Sequence, residues 1–341
     1  MGKNNKKRPP VPDESNLILP IHPALTDSAK SSAPIVDTHT HLISTFSEYR
    51  RKYPEGKFET IFDFVRGVYH DKDVAAIVDV YCEAPVQKAW KELADSAMSE
   101  QDRIDKWGGL EYWFVMGVHP HEAKHYNDAV ESDILEAMKH PRNVGWGEIG
   151  LDYHYDNSPR DIQQDVFTRQ LRHAVRLGKP LTIHTREADD DTERILKAEV
   201  PKDHKIHIHC FTDAPEFAQR LLGHFPNLYI GVTGVITYST NLNTSSVIRS
   251  FASSPSPGPM RIVLETDAPY MIPGNIYKSL KELRSGSRLP LCHTAMIPWT
   301  AEFVANEVNI ALGEGADTNA IYDVPRVMKE ARENARAMYG V

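Results

Sequence analysis

The sequence predicts an α/β protein, a TIM-type (β/α)8 barrel of the metal-dependent hydrolase type behind an N-terminal tail. Three observations carry this reading. Eight short runs rich in Val and Ile alternate with helical stretches after Pro34. The runs are apolar almost throughout, as strands buried on both faces must be. Histidines and acids collect at the C-terminal ends of the runs, and in a parallel barrel that rim carries the chemistry. A doubly wound open sheet is the competing arrangement. No GxGxxG or GxxxxGK[ST] follows a run, so its nucleotide-binding versions lose weight.

Residues 1–34 read as a disordered tail, Pro-rich and without apolar periodicity, and residues 35–341 as the barrel. Lys3, Lys6, Lys7 and Arg8 form a basic cluster, read as a solvated tail in preference to an import signal. The first strand, Ile35–Asp37, runs into Asp37-Thr38-His39-Thr40-His41. His39 and His41 share one face of a strand, where two imidazoles can grip one ion at about 2.0–2.1 Å each. The insertion 43–73 follows. Its Tyr49, Tyr53 and Phe58 suit either base stacking or anchoring of the insertion on the barrel. The second strand is Val74–Tyr81, and the third, Tyr112–Val118, ends at His119-Pro120-His121. The fourth, Val144–Gly147, delivers Glu148 and leads to Asp152.

A helix over 159–177 has Ser158 as its cap, Pro159 in the first turn and Asp161 three residues after the cap. Ile162, Val166, Phe167, Leu171, Ala174 and Val175 make its apolar face, and Gly178 stops it. The fifth strand, Leu181–His184, leads to Arg186. The sixth, Lys205–His209, carries His207 and His209. Weaker helical patterns cover 187–197 and 215–222. The seventh strand is Leu228–Val232, and Ser253–Pro259 reads as a flexible loop. The eighth, Ile262–Glu265, leads to Asp267, and a last helix fits Val324–Tyr339.

This pattern points to two divalent ions. Glu148 can bridge a pair held about 3.5–4 Å apart, with His184 and His209 on the second ion. Asp267 can ligate the first ion and accept a proton from water. Imidazoles and carboxylates suit Zn, Mn or Co, and carboxylates with water also suit Mg.

Composition narrows the function further. The chain has 341 residues, a net charge of −8, 25% charged and 41% hydrophobic residues. That excludes disordered and collagen-like chains, and no run approaches the roughly 18 apolar residues of a membrane span. The acidic balance argues against non-specific coating of nucleic acid. Cys82, Cys210 and Cys292 form no CxxC pair, so a disulfide framework and a Cys-type zinc site are both disfavoured. A reducing compartment, cytoplasmic or nuclear, is expected.

Six ordered segments, Asp37–Leu42, Gly117–His121, Gly147–Asp152, His184–Arg186, His209–Phe211 and Glu265–Tyr270, resemble the TatD family of metal-dependent deoxyribonucleases in the amidohydrolase superfamily. The resemblance spans about residues 34–341. It implies His39 and His41 on a first ion, Glu148 bridging, and His184 and His209 on a second. It implies Asp267 as first-ion ligand and general base, with His119 and His121 facing the phosphate of a DNA end. The ions it implies are Mg²⁺, Mn²⁺ or Zn²⁺. Arg186 and Asp152 match positions near the site, and His207 is read as interior filler. The length of the insertions resembles a fungal branch whose members are partners of an anaphase-promoting-complex subunit. Two other functions stand beside a nuclease: hydrolysis of a different bond by the same ions, and a regulatory scaffold on the barrel.

Overall fold

The computed structural model describes residues 11–26, 33–253, 259–284, 286–313 and 320–341. Eight strands lie side by side in chain order: β1 (Ile35–Thr40), β2 (Val74–Tyr81), β3 (Glu111–Met116), β4 (Asn143–Asp152), β5 (Leu181–Arg186), β6 (Ile206–Ile208), β7 (Leu228–Val232) and β8 (Ile262–Leu264). All seven neighbouring pairs are parallel. Every residue of β1, β4, β6 and β8 is buried, which explains why these strands read as continuous apolar runs.

The barrel closes beyond the end of β8. Thr40 bridges Ala268, the His41 amide donates to the Ala268 carbonyl at 2.9 Å, and the Asp267 amide donates to the His39 carbonyl at 2.9 Å. The β1–β8 seam is therefore made by the two segments that carry His39, His41 and Asp267.

β4 runs to Asp152, longer than the expected Val144–Gly147. Gly150 has φ 150° and lies against the His184 backbone, where a Cβ would collide with the carbonyl. Glycine lets β4 stay in the sheet at the point where β5 approaches most closely.

The helix Arg160–Leu177 corrects two expectations. Pro159 takes the cap position, and Ser158 makes no cap bond. Instead the Ser158 hydroxyl donates to the His121 carbonyl at 2.8 Å and accepts the Lys124 amide at 3.1 Å. Ile162 is exposed, and the buried face includes Gln163 and Gln170. Gln163 accepts the Asp152 amide at 2.8 Å and donates to the Asp152 and Ser158 carbonyls. Gln170 exchanges two bonds with the Val118 backbone, at 2.8 and 3.1 Å. Both amides thus satisfy backbone at the rim where β3 and β4 end.

The expected disordered tail does not hold for residues 11–26. Leu17 and Leu19 are buried against the barrel, each burial being worth about 1.5–3 kcal/mol. Tyr49 donates to Glu14 Oε1 at 2.6 Å, and Tyr53 donates to the Pro12 carbonyl at 3.0 Å. Tyr49 and Phe58 are themselves buried, so these aromatics anchor the insertion and the strap formed by residues 11–26, and base stacking by them is excluded. The basic cluster at 3–8 and residues 254–258 of the Ser/Pro loop lie outside the described residues.

Candidate metal centre

The eight predicted site residues meet at the C-terminal rim. Glu148, delivered by β4 and buried, is the hub, and its two oxygens face different partners. Oε2 lies 3.4 Å from His39 Nε2 and 3.7 Å from His41 Nε2. Oε1 lies 2.9 Å from His184 Nδ1, 2.7 Å from His209 Nε2 and 3.4 Å from His119 Nε2. Asp267 Oδ1 joins the first group, 3.3 Å from His41 Nε2 and 3.7 Å from His39 Nε2. The His39 and His209 rings stack at 4.0 Å, packing the two groups back to back.

These separations suit a divalent ion in each group. Two donors about 2.0–2.1 Å from a common ion stand roughly 3.0–3.4 Å apart. The sets His39–His41–Glu148 and His119–Glu148–His184 both converge closely enough to hold one. A third convergence, His39–His209–Glu265, reuses the same imidazoles beneath the rim.

Charge supports the same reading. Burial opposes ionisation of Glu148, but His209, His119 and His184 outweigh it and hold the carboxyl well below the usual range. Asp267 is likewise held low against its burial, chiefly by His41. His41 and His184 are pushed up to about 9: burial works against them, and the carboxylates of Asp267 and Glu148, or of Asp152 and Glu148, prevail. Burial drives His39 and His119 down to about 4. His209 is raised as well, against its burial, chiefly by Glu148, so the carboxylates favour protons on the imidazoles around them. Ions would displace those protons, so ion binding should strengthen as pH rises.

His121 sits to one side of Glu148, against Asp152. His121 Nε2 is 2.9 Å from Asp152 Oδ2, which is also 3.2 Å from His184 Nε2. Asp152 Oδ1 accepts the His154 and Tyr155 amides at 3.0 Å each. Sequence reading placed Asp152 only near the site, and its role as the link between His121 and His184 needs the three-dimensional arrangement. Arg186 turns away, its guanidinium 4.9 Å from the Tyr155 ring centroid.

Several supporting residues escaped sequence reading. Asp37 is buried and accepts from the Thr266 and Thr294 hydroxyls at 2.6 and 2.8 Å and from the Thr266 amide at 3.0 Å. Asp79 accepts the Leu42 amide at 2.8 Å. His207 is interior, as expected, with Nδ1 2.8 Å from the Tyr339 hydroxyl and Nε2 2.9 Å from Glu265 Oε2. Gly231 leaves the space that this pair fills, because a Cβ there would strike both side chains. Asp37 had a visible signal, lying two residues before His39 on the same strand face.

The model of the TatD related DNase family matches residues 36–340. The chain belongs to that family. The human protein named 3'-5' RNA nuclease TATDN2 is 37% identical over 251 residues, covering 72% of this chain. The chain spans only 30% of that relative's length. The Rahnella protein named 3'-5' ssDNA/RNA exonuclease TatD is 30% identical over 67% of this chain and 77% of its own. The solved structure of YJJV, a TatD homologue from Escherichia coli, superposes with a TM-score of 0.62 at 20% identity, covering 91% of this chain and 99% of that one. It supports the TatD-like barrel at the level of fold. The family is one of metal-dependent hydrolases, and no described helix is long and apolar enough to cross a membrane.

Proposed function

We propose that the chain hydrolyses phosphodiester bonds at the ends of single-stranded DNA or RNA, using water activated between two divalent ions. The observation that carries this is the division of Glu148, one oxygen toward His39 and His41 and the other toward His184 and His209. His39, His41, Asp267 and Glu148 would hold the first ion, and Glu148, His184 and His209 the second. Mg²⁺, Mn²⁺ and Zn²⁺ all suit these donors. When bound, such a pair lowers the pKa of water and polarises phosphoryl oxygens.

The chain's own groups do the rest. Asp267, held ionised by His41, accepts the proton from the attacking water. The water oxygen bonds to phosphorus as the bond to the leaving sugar oxygen breaks. His119 accepts the His121 amide on Nδ1 at 3.1 Å, which leaves Nε2 as the protonated nitrogen, a donor to the phosphoryl group. His121, steadied by Asp152, is positioned to give a proton to the leaving oxygen. The names of the relatives favour release from the 3′ end. Because charge is concentrated at the ions, an acidic protein needs no broad basic groove.

Purified protein with Mg²⁺ or Mn²⁺ should shorten end-labelled single-stranded DNA or RNA from the 3′ end, and a chelator should stop it. No cleavage of either polymer, with turnover of lactones or amides, would move the chain to another hydrolase class. The anaphase-promoting-complex partner and cytoplasmic or nuclear residence are separate proposals. Stoichiometric co-purification of that subunit and imaging of the tagged chain test them.

A further inference from the structure

Beneath the rim, a row of buried polar side chains leads up to the centre from the far end of the sequence. The hydroxyl of Tyr339, on the last helix (Val324–Tyr339), lies 2.6 Å from Thr182 Oγ1 and 2.8 Å from His207 Nδ1. His207 Nε2 lies 2.9 Å from Glu265 Oε2, and both of these side chains are fully buried. A buried ion pair gains little over apolar residues of the same volume. Its place inside the barrel calls for a task other than stability.

Glu265 reaches both groups of histidines. Its other oxygen, Oε1, accepts the Cys210 amide at 2.5 Å, one residue after His209. That bond supports Cys210 at φ 43°, the left-handed turn that follows the ligand. A carboxylate oxygen of Glu265 also converges with one nitrogen each of His39 and His209, all within 4.8 Å of one another. Those two rings present Nε2 to Glu148, at 3.4 and 2.7 Å, and leave Nδ1 buried with no hydrogen-bond partner. A ligating imidazole is oriented, and made more basic, by a carboxylate that faces its second nitrogen. Glu265 is held ionised against its burial, chiefly by His207.

We infer that Glu265 is a positioning residue for both ion groups, bracing His39 of the first and His209 of the second, and that His207 and Tyr339 fix its carboxylate in turn. This rests on the two-ion reading of the centre and deepens it. Glu148 joins the two groups from the ion side, and Glu265 supports one ring of each from behind. A change at Tyr339 then reaches the ligands through His207 and Glu265 without touching a ligand itself.

The test is calorimetric titration of the full chain with Mn²⁺, with urea unfolding in chelator to certify that each variant folds. Glu265→Gln keeps an acceptor for the Cys210 amide and removes the charge. It should raise the Mn²⁺ Kd of both sites about 10–100-fold. Asp267→Asn, at a ligand of the first ion alone, should weaken one site only. Tyr339→Phe, which removes just the hydroxyl, should raise both Kd values about threefold or more. Excess Mn²⁺ should restore cleavage by Glu265→Gln to within about fivefold of wild type, a rescue that general loss of structure would not show. Unchanged Kd values in a folded Glu265→Gln, or weakening confined to one site, would overturn the inference. Should Glu265→Gln fail to fold, Tyr339→Phe decides alone: a rise in both Kd values upholds the inference, and unchanged values overturn it. A wild type that takes up fewer than two Mn²⁺ would overturn the two-ion reading itself, before any variant is compared.

Discussion

On the β1–β8 side of the centre, His39 is fully buried and its strand is tied down by backbone and buried polar bonds. Asp37 gathers Thr266 and Thr294, the His39 carbonyl takes the Asp267 amide, and Asp79 fixes the start of the next helix. On the β4–β6 side, His184 is held between Glu148 at 2.9 Å and Asp152 at 3.2 Å, and His119 and His121 are partly open to solvent. One half is preorganised by the barrel seam. The other is assembled from mutual attraction of imidazoles and carboxylates, which ions would rearrange. Asp267 itself and Cys210, which follows His209, carry positive φ, 51° and 43°, one in each half. Such conformations cost about 1–3 kcal/mol each and persist where surrounding contacts compel them.

The largest expected effect breaks both halves at once. Glu148→Gln should reduce cleavage on the order of 10⁴-fold, because the carboxylate that would serve both proposed ions is gone. Single-turnover assays at saturating Mn²⁺ measure it. Next, Asp267→Asn should cost about 10²–10³-fold in kcat while ion binding at His184 and His209 survives. Calorimetric titration of that variant should still detect a site, and loss of all binding would show the halves to be one unit.

The two halves should also respond differently in stability. Asp37→Ala strands two buried hydroxyls and two amides, those of Thr266 and His39, and should cost about 3 kcal/mol in urea unfolding with chelator present. His184→Ala, on the side held by charge, should cost a similar amount near pH 7, where His184 is a cation between two carboxylates, and much less at pH 10, above its raised pKa of about 9. A His184→Ala cost that does not fall with rising pH would erase the distinction.

A smaller effect concerns pH. His293, beside Thr294 and packed on Tyr69, is driven down to about 3 by burial, with Lys72 adding to the shift. The folded state therefore prefers the neutral ring, and the unfolded chain binds the proton first. Stability should be full above about pH 6.5 and decline as pH falls toward 3, by up to about 1.4 kcal/mol per unit. Unfolding at pH 7 and pH 5 should reveal this slope in wild type and a shallower one in His293→Phe.

Much of this architecture can be read in the residues, for a physical reason. Strands buried on both faces must be apolar, and a barrel rim must collect its polar ligands where those runs stop. His39, His41, Glu148 and Asp267 stand out on that basis alone. What escaped depends on partners distant in sequence. Ser158 looks like a helix cap, yet the His121 carbonyl claims its hydroxyl. Gln163 and Gln170 stand outside the predicted apolar face, yet they satisfy backbone at the ends of β4 and β3. The strap around Leu17 lacks a local pattern, since its burial depends on Tyr49 and Tyr53 of the insertion. Which oxygen of Glu148 meets which histidine is a matter of strand register, invisible in any one segment.

Both halves would depend on Glu148 serving two ions at once. A crystal of the full chain soaked in Mn²⁺ and measured at the manganese edge tests it directly. Two anomalous peaks are expected, one beside Oε2 among His39, His41 and Asp267, the other beside Oε1 among His184 and His209. A single peak in a crystal whose protein is fully active would contradict the account.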